Sequence, residues 1–260
     1  EWNGWLTDSI WVHVTPFDDT GTLVRETFLD PELPGWIHSG APPTLSSEGP
    51  LFGSLTISPG PFTLGDGLQP MILHGARGHT LPGGGTVEVE VWLPAADGIT
   101  EELLVLCLLQ WTDNVPPVEA VLRTMAMPHG TALDDPDSLE QKACLRYPAR
   151  EGGRQTPGKL DLRTHRAFPG IHLSPGDEGL PRDTWIHLAL TLRPDGRVVA
   201  HADRVPLGEA PARLKLPSDG EWYIFLAGAV DPAEGGGGLV LRNLSLWEGT
   251  RYGGPGPTYP

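Results

Sequence analysis

The sequence contains no apolar run approaching the roughly 18 residues that a membrane-spanning helix needs. Its longest apolar stretch, Leu103 to Leu109, has the length of a strand. Helical periodicity is nearly absent as well. Only Asp137–Lys142 and Thr100–Leu103 are compatible with a helical turn, which excludes a helix bundle and a βα-alternating fold. Basic residues are few, with 18 Lys and Arg against 33 Asp and Glu and a formal charge of −15. No basic stripe exists, so binding to nucleic acid through phosphates is excluded, and an anionic membrane is a poor partner. Neutral glycans, cations and basic partners stay compatible with this charge. No G-x-S-x-G elbow occurs, and Glu234–Gly238 lacks the Lys and the strand–helix setting of a phosphate loop. The only cysteines, Cys107 and Cys144, sit in apolar strand-like runs. Two buried thiols and one disulfide fit them equally, and no Cys/His spacing suits a metal. No signal-peptide pattern is read in the sequence.

Abundant turn residues and strand patterns fill the space left by these absences. Gly (34) and Pro (28) are spread without a period, as expected for many short strands joined by turns. "TVEVEVWL" (Thr86 to Leu93) alternates strictly, with Val87, Val89, Val91 and Leu93 on one face. "LLVLCLLQW" (Leu103 to Trp111) is apolar on both faces, the pattern of a central strand covered on both sides. Further strands are predicted at Val118–Met127, Lys142–Tyr147, Gly158–Thr164, Glu221–Ala227 and Gly238–Trp247. The predicted fold is all-β: an antiparallel β-sandwich of jelly-roll type with long rim loops and little helix. Residues 1–27 form a Trp-rich strand or arm, 28–249 the sandwich, and 250–260 a Gly/Pro-rich tail unable to form a core element.

The stretch "TWIHLALTLRPDGRVVAHADRVPL" (Thr184 to Leu207) predicts its own register. A three-residue loop, Pro194-Asp195-Gly196, places Gly at the left-handed position such loops favour. Leu192, Leu190 and Leu188 then oppose Val198, Ala200 and Ala202 on the core face. A one-residue slip would bury the polar set instead. The other face carries Trp185, His187 and His201, with Asp203 opposite His187. Opposed Cβ atoms lie about 5 Å apart, so a His187–Asp203 hydrogen bond is in reach. The pair reads either as an oriented general base or as a satisfied cross-strand contact.

These same residues resemble the concanavalin A-like and laminin-G-like sandwiches. "TVEVEVWLP" resembles an early strand of that superfamily, and "WIHLALTLRPDGRVVAHADRVPLG" its W-x-H-x-A-x-T hairpin. Its usual Asp-Gly turn reads Asp203-Arg204 here. "GLVLRNLSLWEG" resembles the closing strand that returns beside the first. "LDPELPGW" followed by "GSLTISPG" resembles the opening of secreted glycan-acting members, including the 3-keto-disaccharide hydrolase/lyase type. The resemblance implies a sugar-facing concave sheet, an extracellular or cell-surface setting, and in some members a rim Ca²⁺.

Glu88 and Glu90 lead the candidates for chemistry. Strand period two puts both on one face with Trp92, about 7 Å apart along the chain. That approaches the spacing of paired glycosidase carboxylates, and a Trp platform suits the C–H face of a sugar. The glucanases of this fold carry Glu-x-Asp-x-Glu, whereas this strand reads Glu88-x-Glu90-x-Trp92. The candidate catalytic set is Glu88, Glu90, His187 and Asp203. Candidate ligand-binding residues are Trp92, Trp111, Trp185, His201 and Arg77, the last within "HGARGH", where it could neutralise a sugar carboxylate. Asp134, Asp135 and Asp137 form an acidic loop able to hold Ca²⁺; no other cofactor is expected. Three functions stay open: carbohydrate recognition on the concave sheet, glycan hydrolysis or elimination, and a structural role in which the sandwich mediates self-association.

Overall fold

The computed structural model describes residues 21–30, 32–39, 44–46, 53–57, 71–93, 99–111, 139–151, 154–156, 158–164, 171–174, 179–210, 213–216, 220–232 and 239–252. Eighteen strands and no helix occur among them. In chain order they are β1 (Thr22–Glu26), β2 (Trp36–Ser39), β3 (Thr44–Ser46), β4 (Ser54–Ile57), β5 (Met71–Gly75) and β6 (His79–Thr80). Then come β7 (Gly85–Trp92), β8 (Ile99–Trp111), β9 (Leu139–Tyr147), β10 (Ala149–Glu151), β11 (Arg154–Thr156) and β12 (Leu160–Thr164). The last six are β13 (Ile171–Leu173), β14 (Trp185–Leu192), β15 (Val198–Ala202), β16 (Val205–Glu209), β17 (Glu221–Pro232) and β18 (Leu239–Glu248).

Two antiparallel sheets face each other. The first runs β16-β15-β14-β7-β18-β4-β3, with β1 pairing the other half of β18. The second runs β13-β12-β9-β8-β17-β5-β2, with β6 continuing along β17. β10 and β11 form a separate small hairpin. Alternation dictates the core: Val87, Val89 and Val91 of β7 and Ile186, Leu188 and Leu190 of β14 join Leu104, Leu106 and Leu108 of β8 and Trp222, Ile224 and Leu226 of β17. The opposite face of the second sheet is apolar too, with Ile72, Val105, Cys107, Leu109, Cys144 and Phe225 buried. This matches the two-sided pattern of Leu103–Trp111. Cys107 and Cys144, directly opposed on β8 and β9, form a disulfide with their Cα atoms 4.2 Å apart.

Both helix-compatible stretches are strand where described: Thr100–Leu103 lies in β8 and Leu139–Lys142 in β9. Pairing of these two long strands overrides a local preference of one turn. The strand expected at Val118–Met127, and Trp2, Trp5 and Trp11, lie outside the described residues.

The β14–β15 hairpin has the predicted register, with Leu188, Leu190 and Leu192 opposite Ala202, Ala200 and Val198. Gly196 sits at φ +80° in its loop. The next turn, Asp203-Arg204, joins β15 to β16 with both residues left-handed, at φ 48° and 68°. Such two-residue turns favour Gly at the second position, and a side chain there is strained by about 1 kcal/mol. Arg204→Gly is therefore expected to stabilise the protein by about that amount, read as a higher urea midpoint with an unchanged slope.

Candidate functional site

Strand parity carries Glu88, Glu90 and Trp92 to the face of the first sheet that points away from the core. Pairing then aligns them in rows across β14, β7 and β18. Trp185 opposes Trp92, His187 opposes Glu90, and Ala189 opposes Glu88. On the other flank Arg242 opposes Glu90 and Ser245 opposes Glu88. A bulge in β18 falls between these two pairs, with Asn243 at φ 53°. The extra residue lets Leu241 and Leu244 both point inward, and it turns Asn243 outward beside Arg242.

The outer face divides into two halves. In the first, Glu88 is buried and fully engaged. Trp247 Nε1 donates to its Oε1 at 2.8 Å. His187 Nε2 lies 3.0 Å from Oε2, and since a carboxylate only accepts, that nitrogen carries the proton. The Tyr252 hydroxyl donates to the same oxygen. Arg251 Nη1 approaches Oε1 at 3.5 Å while its guanidinium lies 3.5 Å over the Trp247 ring. Burial alone would raise the Glu88 pKa, but the His187 and Tyr252 hydrogen bonds and the electrostatic attraction of His187 and Arg251 prevail and lower it to about 2. Burial, followed by the bond to Glu88, pushes the Tyr252 phenol well above its usual range, so it remains a donor. The Tyr252 ring also covers His201, with centroids 5.3 Å apart. Burial holds His201 below the ordinary histidine value, with the charges of Arg193 and His187 acting in the same direction, against backbone carbonyls of Tyr252 and Val199.

The second half is partly open. Glu90 accepts from Arg242 Nε and from Asn243 Nδ2, the latter at 3.1 Å. Arg242 lies 3.8 Å over the Trp185 ring, and Trp185 meets Trp92 edge-on at 5.8 Å. All of these side chains are half-buried except Asn243, which is exposed.

Six predicted residues thus share one face: Glu88, Glu90, Trp92, Trp185, His187 and His201. Asp203 lies at the adjoining turn, where its carboxylate accepts the His187 backbone N–H at 3.0 Å. The expected His187–Asp203 pairing through the imidazole is replaced by the bond to Glu88, because the ring of His187 leans along the sheet toward β7. Trp111 ends β8 in the other sheet. Arg77 is exposed on the excursion between β5 and β6. Asp134, Asp135 and Asp137 lie outside the described residues, among which no group of three His, Cys, Asp or Glu is placed to hold a metal. The sequence reading missed Arg242, Asn243, Trp247, Arg251 and Tyr252 as partners. A signal for the first two existed: apolar positions Leu239, Leu241, Leu244 and Leu246 change parity at Asn243.

No protein-family model matches the sequence, and no curated protein sequence does either. Solved structures do match the fold. The carbohydrate recognition domain of Emp46p, in a mutant form, is 12% identical with a TM-score of 0.58, over 86% of this chain and 95% of that one. LamAcat from Zobellia galactanivorans is 13% identical with a TM-score of 0.54, over 88% and 98%. The Bacillus licheniformis β-glucanase is 11% identical with a TM-score of 0.51, over 88% and 99%. The chain has the concanavalin A-like β-sandwich fold that the sequence resemblance implied.

Proposed function

We propose that this protein recognises carbohydrate, in an extracellular or cell-surface setting, through the Glu90 half of the outer face. The observation that carries the reading is the half-exposed Trp92–Trp185 pair set beside Glu90, Arg242 and Asn243. Sugar recognition needs apolar ring surface next to a few fixed donors and acceptors, and this patch supplies both. Structures sharing the fold include a carbohydrate recognition domain and glycan-cleaving enzymes, which favours a glycan ligand without choosing between binding and cleavage.

Binding is favoured over cleavage by the state of the carboxylates. A glycosidase general acid needs a raised pKa, whereas Glu88 is held down at about 2 and closed in by Tyr252 and Arg251. Glu90 already neutralises Arg242.

A glycan array paired with reducing-sugar release tests this on wild type, Trp92→Ala and Glu90→Gln. The expected result is binding without release, weakened at least tenfold in both variants. Release that disappears in Glu90→Gln would make Glu90 catalytic and overturn the binding reading. Absence of binding in wild type would remove the glycan assignment altogether.

A further inference from the structure

The two halves of the outer face repeat one arrangement. In the open half Arg242 donates to Glu90 of β7 and lies 3.8 Å over the Trp185 ring. In the closed half Arg251 approaches Glu88 of the same strand at 3.5 Å and lies 3.5 Å over the Trp247 ring. Each half thus holds a carboxylate, an indole and a guanidinium that touches both. The halves differ in where the arginine comes from. Arg242 belongs to β18, whereas Arg251 lies beyond it, in a strap over residues 249–252. Gly249, left-handed at φ +78° with open space around it, marks the turn of the chain back over the sheet. Beyond it the strap is fastened through side chains. Thr86 Oγ1 donates to the Gly249 carbonyl at 3.3 Å and accepts the Arg251 N–H at 3.2 Å, and the Tyr252 hydroxyl donates to Glu88.

We propose that this strap covers a second sugar subsite, and that a glycan of several rings displaces it to run from the Glu90 half into the Glu88 half. That the occupant is a sugar rests on the glycan reading above. The repeated set of glutamate, tryptophan and arginine is the first support: the covered half has the chemistry of the open one. The second is that the strap satisfies what lies beneath it incompletely. His201 is fully buried under Tyr252, and neither its ring nitrogens nor His187 Nδ1 complete a hydrogen bond among the described residues. The carbonyls of Tyr252 and Val199 approach the His201 ring without hydrogen-bond geometry. Tyr252 brings one hydroxyl, and Glu88 takes it. Buried polar groups without partners cost stability. A pyranose carries several hydroxyls that both donate and accept, so it serves the carboxylate and the imidazoles together. Its C–H face replaces Arg251 on the Trp247 ring. The third support is the fastening. Side-chain bonds let the strap lift without opening the sheet, and Glu88 keeps Trp247 of β18 and His187 of β14 as partners. A single ring fits the open half and leaves the strap closed.

The test prints D-glucose, D-galactose, D-mannose and N-acetyl-D-glucosamine on an array, each beside its linear oligomers up to the hexamer. Full-length wild type is compared with the double variant Arg251→Ser/Tyr252→Ser, which removes the cover. Thr86→Val is the second variant: it loosens the strap and leaves Glu88, His187, His201 and Trp247 in place. A single cooperative melting transition confirms that each variant folds. Oligomers are expected to bind the double variant at least tenfold more tightly than wild type, and Thr86→Val about threefold more tightly, with monomers unchanged on all three. Hydrogen exchange at residues 249–252 of wild type should rise when the best-bound oligomer is added. Equal or weaker oligomer binding by the double variant, or slower exchange of the strap with the oligomer bound, would overturn the strap alone. Arg251 and Tyr252 would then belong to the binding surface, and the Glu90 reading would stand. Binding by none of the three chains would remove the glycan reading and the covered subsite together.

Discussion

Glu88→Gln is expected to lower the unfolding free energy by about 3 kcal/mol at neutral pH, measured by urea denaturation. The reason lies in donor counting. Trp247 Nε1, the Tyr252 hydroxyl, His187 Nε2 and Arg251 all direct protons at the two Glu88 oxygens. An amide replaces one of those acceptors with a further donor. At least one buried donor then loses its partner, and Arg251 loses its counter-charge. Tyr252→Phe is the comparison: it removes a single donor, leaves the carboxylate three partners, and should cost only about 1 kcal/mol. Equal losses in the two variants would show that the tail contact, not the carboxylate, holds this half of the face.

The same carboxylate predicts an acid window. Its pKa is about 2 in the folded protein against 4.5 ordinarily. A depressed carboxylate stabilises the fold fully above the unfolded value, and the contribution disappears as pH falls through the folded value. About 3 kcal/mol should therefore be lost between pH 4.5 and 2, and Glu88→Gln should flatten that part of the stability profile. His201 and His74 act earlier. Burial holds both below 6.5, so the unfolded chain takes up their protons first and destabilisation begins as pH drops under that value. The Glu88→Gln profile keeps this first decline and lacks the second.

Most of the sandwich was legible because its rules are local. Period-two alternation in Thr86–Leu93, two-sided apolarity in Leu103–Trp111 and turn chemistry at Pro194-Asp195-Gly196 each fix a strand or a register without knowledge of distant residues. The shared face of Glu88, Glu90, Trp92, Trp185, His187 and His201 followed from the same parity. What escaped was set by contacts between elements far apart in sequence. Glu88 meets Trp247 and Tyr252 only because β18 returns beside β7 and the chain beyond it folds over the sheet. No periodicity in "GTRYGG" (Gly249 to Gly254) announces that. The bulge at Asn243 lies between these cases. Its parity change is written in the sequence, but the residue it turns toward Glu90 is visible only once β18 is paired.

Gly196→Ala is expected to cost about 3 kcal/mol, the second large effect, and it tests how the hairpin loop is anchored. Two penalties combine at this position. The residue adopts φ +80°, where any side chain is strained by about 1–2 kcal/mol. A Cβ built there would also lie 1.9 Å from the Leu214 carbonyl oxygen, a backbone atom that cannot turn aside. The contact is tight because Leu214 donates its own N–H to the Gly196 carbonyl at 2.7 Å, which pins residues 213–216 onto the loop. Leu214 in turn is buried in the main core. Relief of the clash must therefore break that hydrogen bond or withdraw Leu214, and overpacking of this kind costs about 1–3 kcal/mol. Gly249→Ala separates the two penalties. It has nearly the same backbone angle, φ +78°, with no atom within 4 Å of a built Cβ. Strain alone should cost it about 1 kcal/mol, so the difference between the two urea midpoints measures the anchoring of the loop. Equal costs would mean that residues 213–216 yield freely and that the hairpin keeps its register through β14 and β15 alone.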